Sequence, residues 1–210
     1  PDPDDPQAGL KILWNYRYST FEGDTQYIHQ NWRYRDMRKE EVERELRIDV
    51  HIMRLTNRII VAPLPAFDEN PSNIYSSFYL LVKEPFDVSN TQLLVHTYAD
   101  DNLRTDAWLY LGFQRRVRRL ATGQTTDAFL GTDLMIEDFR GYNSRISEYD
   151  WKYVETKPIL APVYNYADAL SYDETLDNYE GVIKEGSTGK AGCYPHVPYQ
   201  LRLVHVVDGT

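Results

Sequence analysis

The sequence predicts a mainly β protein, α+β in class, with one large antiparallel sheet and two or three short helices. Three observations point there. Short segments alternate apolar and polar residues with a period of two, the spacing that sends successive side chains to opposite faces of a strand. The 210 residues include 17 Tyr, 7 Phe and 4 Trp, and tyrosine suits half-wet pleated surfaces because its ring packs while its hydroxyl reaches water. Finally, segments of helical character are few and short.

Along the chain, "PDPDDPQAG" is rich in Pro and Asp without an apolar period, so residues 1–9 read as a tail and residues 10–210 as a single domain. From "LKILWNYRY" (10–18) onward the pattern reads as strands. "RDMRKEEVEREL" (35–46) fits either a helical turn or the exposed start of a long strand. Leu46, Ile48, Val50 and Ile52 then alternate with Arg47, Asp49, His51 and Met53, which predicts a strand with one buried face. "SSFYLLVKEP", stopped before Pro85, and "TQLLVHTYADD" predict two more strands. "TDAWLYL" and "RRVRRLA" flank "GFQ", a hairpin connection with Gly112 at the turn. "EYDWKYVETKPI" and "YQLRLVHVV" read as later strands. Helices are predicted from "TDLMIEDF", with Thr132 or Asp133 as N-cap, and from "YADALSYDETLDNYEG", ending at Gly181; "EGSTGKAG" reads as a loop.

Charge and composition remove whole classes of function. The formal net charge is -9, from 23 basic and 32 acidic residues, which argues against a nucleic-acid partner. No run of about 18 apolar residues predicts a membrane span. Cys193 is the single cysteine, too few for an internal disulfide or a multi-cysteine metal site. The GK of "EGSTGKAG" is no phosphate loop, since Lys184 stands at the first glycine position and Ala191 at the magnesium-binding hydroxyl. GxSxG is absent, the five histidines fall in no ligand spacing, and the pairs Glu137/Asp138 and Asp100/Asp101 diverge on strand or helix. The expectation is a protein that is not an enzyme, with no cofactor and no metal.

One motif demands an explanation. Arg115, Arg116, Arg118 and Arg119 fall within five residues of an acidic chain. On a strand they divide between two faces, Arg115, Val117 and Arg119 against Arg116, Arg118 and Leu120. Four readings fit: pairing with Asp133, Glu137 or Asp138; exposure on an edge strand, which deters aggregation; an anionic headgroup; or an acidic patch on a partner.

The stretch "AWLYLGFQRRVRRLATGQTTDAFLGTDLMIEDF" (107–139), with "SEYDWKYV" and the closing "YQLRLVHVVDGT", resembles LolA-like outer-membrane lipoprotein-sorting proteins of Gram-negative bacteria, above all a subfamily classed as a domain of unknown function. The resemblance covers about the second half of the chain. Gly112 departs from it, standing where relatives commonly carry a Pro, and the chain stops at "VVDGT" where relatives continue, which implies a form shortened at the C-terminus. The resemblance implies a curved antiparallel sheet forming an incomplete β-barrel, as in LolA and LolB, covered by short helices. It implies a periplasmic location, at or near the outer membrane, and a non-enzymatic carrier or chaperone for lipid or lipoprotein acyl chains. A groove or lid would then use Trp108, Tyr110, Phe129, Leu134 and Ile136, with Arg116 and Arg118 meeting a headgroup or partner. The alternatives are an adaptor domain of an envelope export complex with an envelope protein partner and no lipid, and a hydrolase of unknown type.

Overall fold

In a computed structural model of the protein, residues 1–19, 23–120, 128–135, 138–139, 141–142, 144–162, 170–171, 182–183 and 187–210 are described. The architecture is mainly β, with antiparallel sheets and few helices. One helix, α1 (Ala8–Arg17), precedes β1 (Thr25–Asp36), β2 (Glu41–Arg54), β3 (Ile74–Glu84), β4 (Gln92–Tyr98), β5 (Asp106–Leu111) and β6 (Arg116–Leu120). Then come β7 (Trp151–Pro162), the short pieces β8 (Leu170–Ser171), β9 (Val182–Ile183), β10 (Ser187–Thr188) and β11 (Tyr194–Pro195), and β12 (Tyr199–Gly209). Strands β1 to β6 form one sheet in chain order; β12 pairs with β7, β10 with β11 and β8 with β9. The large sheet is open, with β1 and β6 at its edges.

The chain divides into two compact units: Leu10–Trp32 and Glu45–Asp150 with Thr210, and Pro1–Gly9, Arg33–Arg44 and Trp151–Gly209. The first holds most of the large sheet. Two sets of in-register residues, Val50–Leu80–Leu93–Leu109 and Ile52–Phe78–Val95–Ala107, cross β2 to β5 on one face. With Leu46, Ile48 and Val82, most of these side chains are almost fully buried. This is the core that the alternation of residues 46–53 predicts. Burying such aliphatic side chains is the main favourable term in folding. The β5–β6 connection occupies residues 112–115, and the Arg115 amide closes it on the Leu111 carbonyl at 2.9 Å. A Cβ on Gly112 would lie 2.6 Å from the Ser89 carbonyl oxygen, so the turn requires a residue without a side chain. Gly112→Ala is expected to cost roughly 1–3 kcal/mol in urea denaturation.

In the second unit β7 and β12 form a long ribbon, with Leu201 opposite Leu160 and Leu203 opposite Pro158. Leu201 and Leu203 are 74% and 75% exposed, so this strand's apolar residues do not supply buried core. The β1–β2 turn is built locally: the Asp36 carboxylate accepts the Arg38 and Lys39 amides at 2.7 and 3.1 Å, and Glu40 takes a positive φ of 60°. "RDMRKEEVEREL" therefore resolves into a turn and the exposed start of a long strand.

Three sequence expectations need correction. Residues 10–18 are largely helix rather than strand. Leu10, Leu13, Trp14 and Arg17 follow the helical i, i+3, i+4, i+7 spacing, while Leu10, Ile12, Trp14 and Tyr16 satisfy a period of two in the same stretch. Leu13 is buried and Tyr16 is half exposed, so the helical period governs. Helix α1 also takes Ala8 and Gly9 from the stretch that reads as tail. Second, Thr132 does not open a helix. It follows a 3-10 turn, Phe129–Gly131, and its hydroxyl contacts the Phe129 carbonyl and accepts the Leu134 amide, while Ala128 bridges Met135. Short side-chain to backbone bonds of this kind compete with helix. Third, residues 185–192 contain β10 and a 3-10 turn rather than loop alone. The helix expected over residues 166–181 lies outside the described residues except for Leu170–Ser171, which is strand.

Candidate functional site

The second face of the large sheet is organised differently from the core face. His51 on β2, Tyr79 on β3, Leu94 on β4, Trp108 on β5 and Arg119 on β6 are consecutive register partners. They form one row across five strands, because directly opposed residues share a face. The flanking rows on this face are Asp49–Leu81–Gln92–Tyr110–Val117 and Met53–Ser77–His96–Asp106. Tyr79, Leu94, Trp108 and Tyr110 are half-buried, whereas most of the core rows behind them are closed. This is an amphipathic surface: rings and a leucine in the middle, ionisable groups on both sides.

Ring contacts hold the band together. Tyr27 on β1 lies 4.2 Å from the His51 ring centroid and 4.5 Å from that of His29; His51 lies 5.9 Å from Tyr79, and His96 stands edge-on to Trp108 at 5.1 Å. The Tyr79 hydroxyl donates to Gln92 at 3.0 Å. Aromatic pairs at such distances favour offset or edge contacts and fix ring orientation.

Carboxylates flank the band. Asp49 sits 2.7 Å from His29 Nδ1 and 3.4 Å from Lys83 Nζ. Burial works to raise its pKa, but the His29 hydrogen bond and the Lys83 charge outweigh that and hold it below the ordinary carboxylate range. Asp106 accepts from Arg119 and from the Tyr98 hydroxyl, and these bonds likewise overcome burial and keep its pKa low. His96 is pushed down by burial, opposed by Asp106, and stays neutral more readily than a free imidazole.

The sign of the pH dependence follows. Asp49 and Asp106 bind protons less tightly folded than unfolded, so their contribution is complete above the unfolded pKa of about 3.9 and is lost as pH falls through the lower folded values. His96 adds a loss as pH drops below about 6.5, where the unfolded chain takes the proton first. The thermal midpoint is therefore expected to decline gently below neutrality and steeply below about pH 4. Asp49→Asn should flatten the steep limb in thermal melts recorded across pH.

The residues expected to form a groove or lid do not all gather here. Trp108 and Tyr110 lie on the aromatic face. Phe129 instead packs edge-on against Trp32 at 6.1 Å and Phe139 at 5.4 Å, and Phe139 contacts Phe78, a member of the core-face row. Leu134 belongs to the same turn, its carbonyl accepting the Phe129 amide at 2.9 Å. Phe129 therefore packs over the opposite side of the sheet from Trp108, and Leu134 is tied to it through the backbone of that turn. Ile136 lies outside the described residues.

The arginines line the edge strand. Arg116 to Arg119 are exposed, Arg115 sits in the turn at φ 52°, Arg118 donates to Gln114 at 2.8 Å and Arg119 pairs with Asp106. Asp106, which the sequence alone does not single out, is a carboxylate partner of Arg119; of the suggested partners, Glu137 lies outside the described residues. An exposed edge strand studded with arginine resists edge-to-edge pairing.

His51, Tyr79 and Leu94 escape a reading made one strand at a time. Each is the outward member of an alternating strand, and only the register shows that they align with Trp108. Among the described residues no three His, Cys, Asp or Glu side chains converge as metal ligands, and no helix is long and apolar enough to cross a membrane. An open cavity of about 410 Å³, lined by Tyr18, Arg54, Asn57 and Ile59, contains none of the predicted site residues.

The sequence profile described as "Protein of unknown function (DUF1329)" matches residues 1–210. No curated protein matches the chain. Two solved structures are similar in fold. A DUF1329 family protein from Desulfovibrio piger is 19% identical with a TM-score of 0.51, over 75% of this chain and 57% of that one. A "putative outer membrane lipoprotein-sorting protein domain" from Vibrio parahaemolyticus is 18% identical with a TM-score of 0.53, over 73% of this chain and 55% of that one. The alignments thus span little more than half the length of these two structures.

Proposed function

For a chain that belongs to the DUF1329 family, we propose the role of a non-enzymatic carrier that holds an apolar cargo, a lipid or the acyl chains of a lipoprotein, against the aromatic face. The observation that carries this reading is the His51–Tyr79–Leu94–Trp108 row, in register beside Tyr110, with Tyr79, Leu94 and Trp108 half-buried and His51 exposed at its end. The fold similarity to the Vibrio parahaemolyticus domain supports it, and the same reading puts the carrier at work in the cell envelope, in the periplasm.

The energetics fit a carrier. Each methylene removed from water is worth about 0.8 kcal/mol, so an acyl chain in transit between membranes needs a covered apolar surface. Transfer from a bilayer exchanges one apolar medium for another, and the small net gain leaves loading and release to partner contacts or to differences in affinity between states. A face of tyrosine, tryptophan, histidine and leucine meets that demand, because it grips apolar chains while tolerating water when empty.

The cationic edge favours a second reading, an adaptor whose Arg116 and Arg118 dock an acidic envelope partner with no lipid bound. Native mass spectrometry of the protein purified from its own envelope, followed by organic extraction, separates the two. The carrier predicts a stoichiometric lipid adduct. An apo mass that does not change on incubation with envelope lipids would overturn it, and Arg116→Glu with Arg118→Glu would then be expected to abolish partner binding.

A further inference from the structure

Away from the aromatic face, the β2–β3 connection exposes a run of uncharged residues, Ile59-Ile60-Val61-Ala62-Pro63-Leu64-Pro65-Ala66. Ile59, Ile60, Val61 and Leu64 are 57%, 63%, 47% and 53% exposed. Four aliphatic side chains held toward solvent in one short connection are unusual, and large exposed apolar patches mark interaction sites.

How the backbone of this segment is satisfied narrows the partner. Asp24, 2% exposed, accepts the amides of Ile59, Ile60 and Val61 at 3.0, 2.6 and 2.8 Å. Arg58, 3% exposed, donates to the carbonyls of Val61, Ala62 and Pro63 at 2.9, 3.4 and 3.0 Å, and its own amide donates to Pro65 at 2.8 Å. Pro63 and Pro65 carry no N–H. Much of the segment's polar backbone is thus paired inside the protein while its aliphatic side chains face out. Unpaired backbone groups are what make non-helical chain costly in lipid. A segment arranged in this way meets that requirement in advance.

We propose that residues 59–64 form a docking surface for the interfacial region of a lipid bilayer with neutral headgroups. No ionisable side chain lies between Ile59 and Ala66, and the next ones along the chain, Asp68 and Glu69, together with the net charge of -9, disfavour an anionic surface. The docking is independent of any cargo on the aromatic face. The bound layer needs no shape complementarity, which suits a surface of aliphatic side chains without polar anchors.

The test is co-sedimentation of the intact protein with phosphatidylcholine vesicles. Binding is expected, unchanged by added salt. Ile60→Asp should weaken it on the order of tenfold, and Leu64→Asp should act alike. Both side chains are more than half exposed, so both variants should keep the wild-type thermal midpoint. Leu94→Asp, on the aromatic face, should still bind vesicles, which separates docking from cargo binding. Ile60→Trp should be quenched by brominated lipid beyond the native tryptophans. The proposal is overturned if wild-type protein stays in the supernatant, if folded Ile60→Asp and Leu64→Asp bind as wild type does, or if binding needs anionic lipid and vanishes in salt. It is also overturned if Ile60→Asp leaves vesicle binding intact and instead dissociates an oligomer.

Discussion

Replacing Arg58 by Met is expected to destabilise the protein by about 3–5 kcal/mol, the cost typical of removing one member of a buried charged network. At this chain length that lowers the thermal midpoint by on the order of 10 °C. Arg58 is almost fully buried and donates to the backbone carbonyls of Arg54, Val61, Ala62 and Pro63, with its guanidinium 4.8 Å from the Phe67 ring centroid. Met preserves much of the stem but none of the donors, so several carbonyls lose their partner at once. The Asp24 carboxylate loses a favourable charge as well. Burial raises its pKa, and three amides together with Arg58 reverse that. Urea denaturation measures the loss. A change below about 1 kcal/mol would mean that water replaces the guanidinium and that the connection is less closed than its geometry indicates.

On the carrier reading, Trp108→Ala should weaken binding of a fluorescent fatty acid about tenfold, or roughly 1.4 kcal/mol. Leu94→Asp should weaken it on the order of a hundredfold, because it puts a charge at the centre of the aromatic row where the chain would lie. Leu94 has Tyr79 and Trp108 on its two sides in register. Both positions are half-buried rather than core, so folding should survive, and a thermal melt beside each titration confirms it. Phe129→Ala makes a useful contrast. Phe129 packs over the opposite face, so its loss should lower stability without the same effect on affinity.

Much of the sheet can be read from the sequence, for a physical reason. Where one face is buried and the other is wet, as from Leu46 to Met53, the period of two is imprinted residue by residue. Helix α1 resists that reading, because Leu10 and Trp14 fit both periods and only tertiary burial of Leu13 decides between them. Thr132 misleads for a related reason, since a hydroxyl before acidic residues resembles an N-cap whether or not a helix follows. Trp108 and Tyr110 can be picked out as outward aromatic residues, but the rows they join cannot, because each depends on the registers of four strand pairs. The Asp24–Arg58 brace is equally hidden: its two charged residues are 34 positions apart, and nothing local links them.

Photolabelling of the protein with a diazirine-bearing fatty acid, with the adducts mapped by mass spectrometry, locates the bound acyl chain on the sheet. A cargo held on the aromatic face labels the peptides of β2 to β5 that carry His51, Tyr79, Leu94 and Trp108, and these labels are competed away by unlabelled lipid and lost in Leu94→Asp. Labelling that is absent, or that falls elsewhere and persists in Leu94→Asp, would contradict this placement.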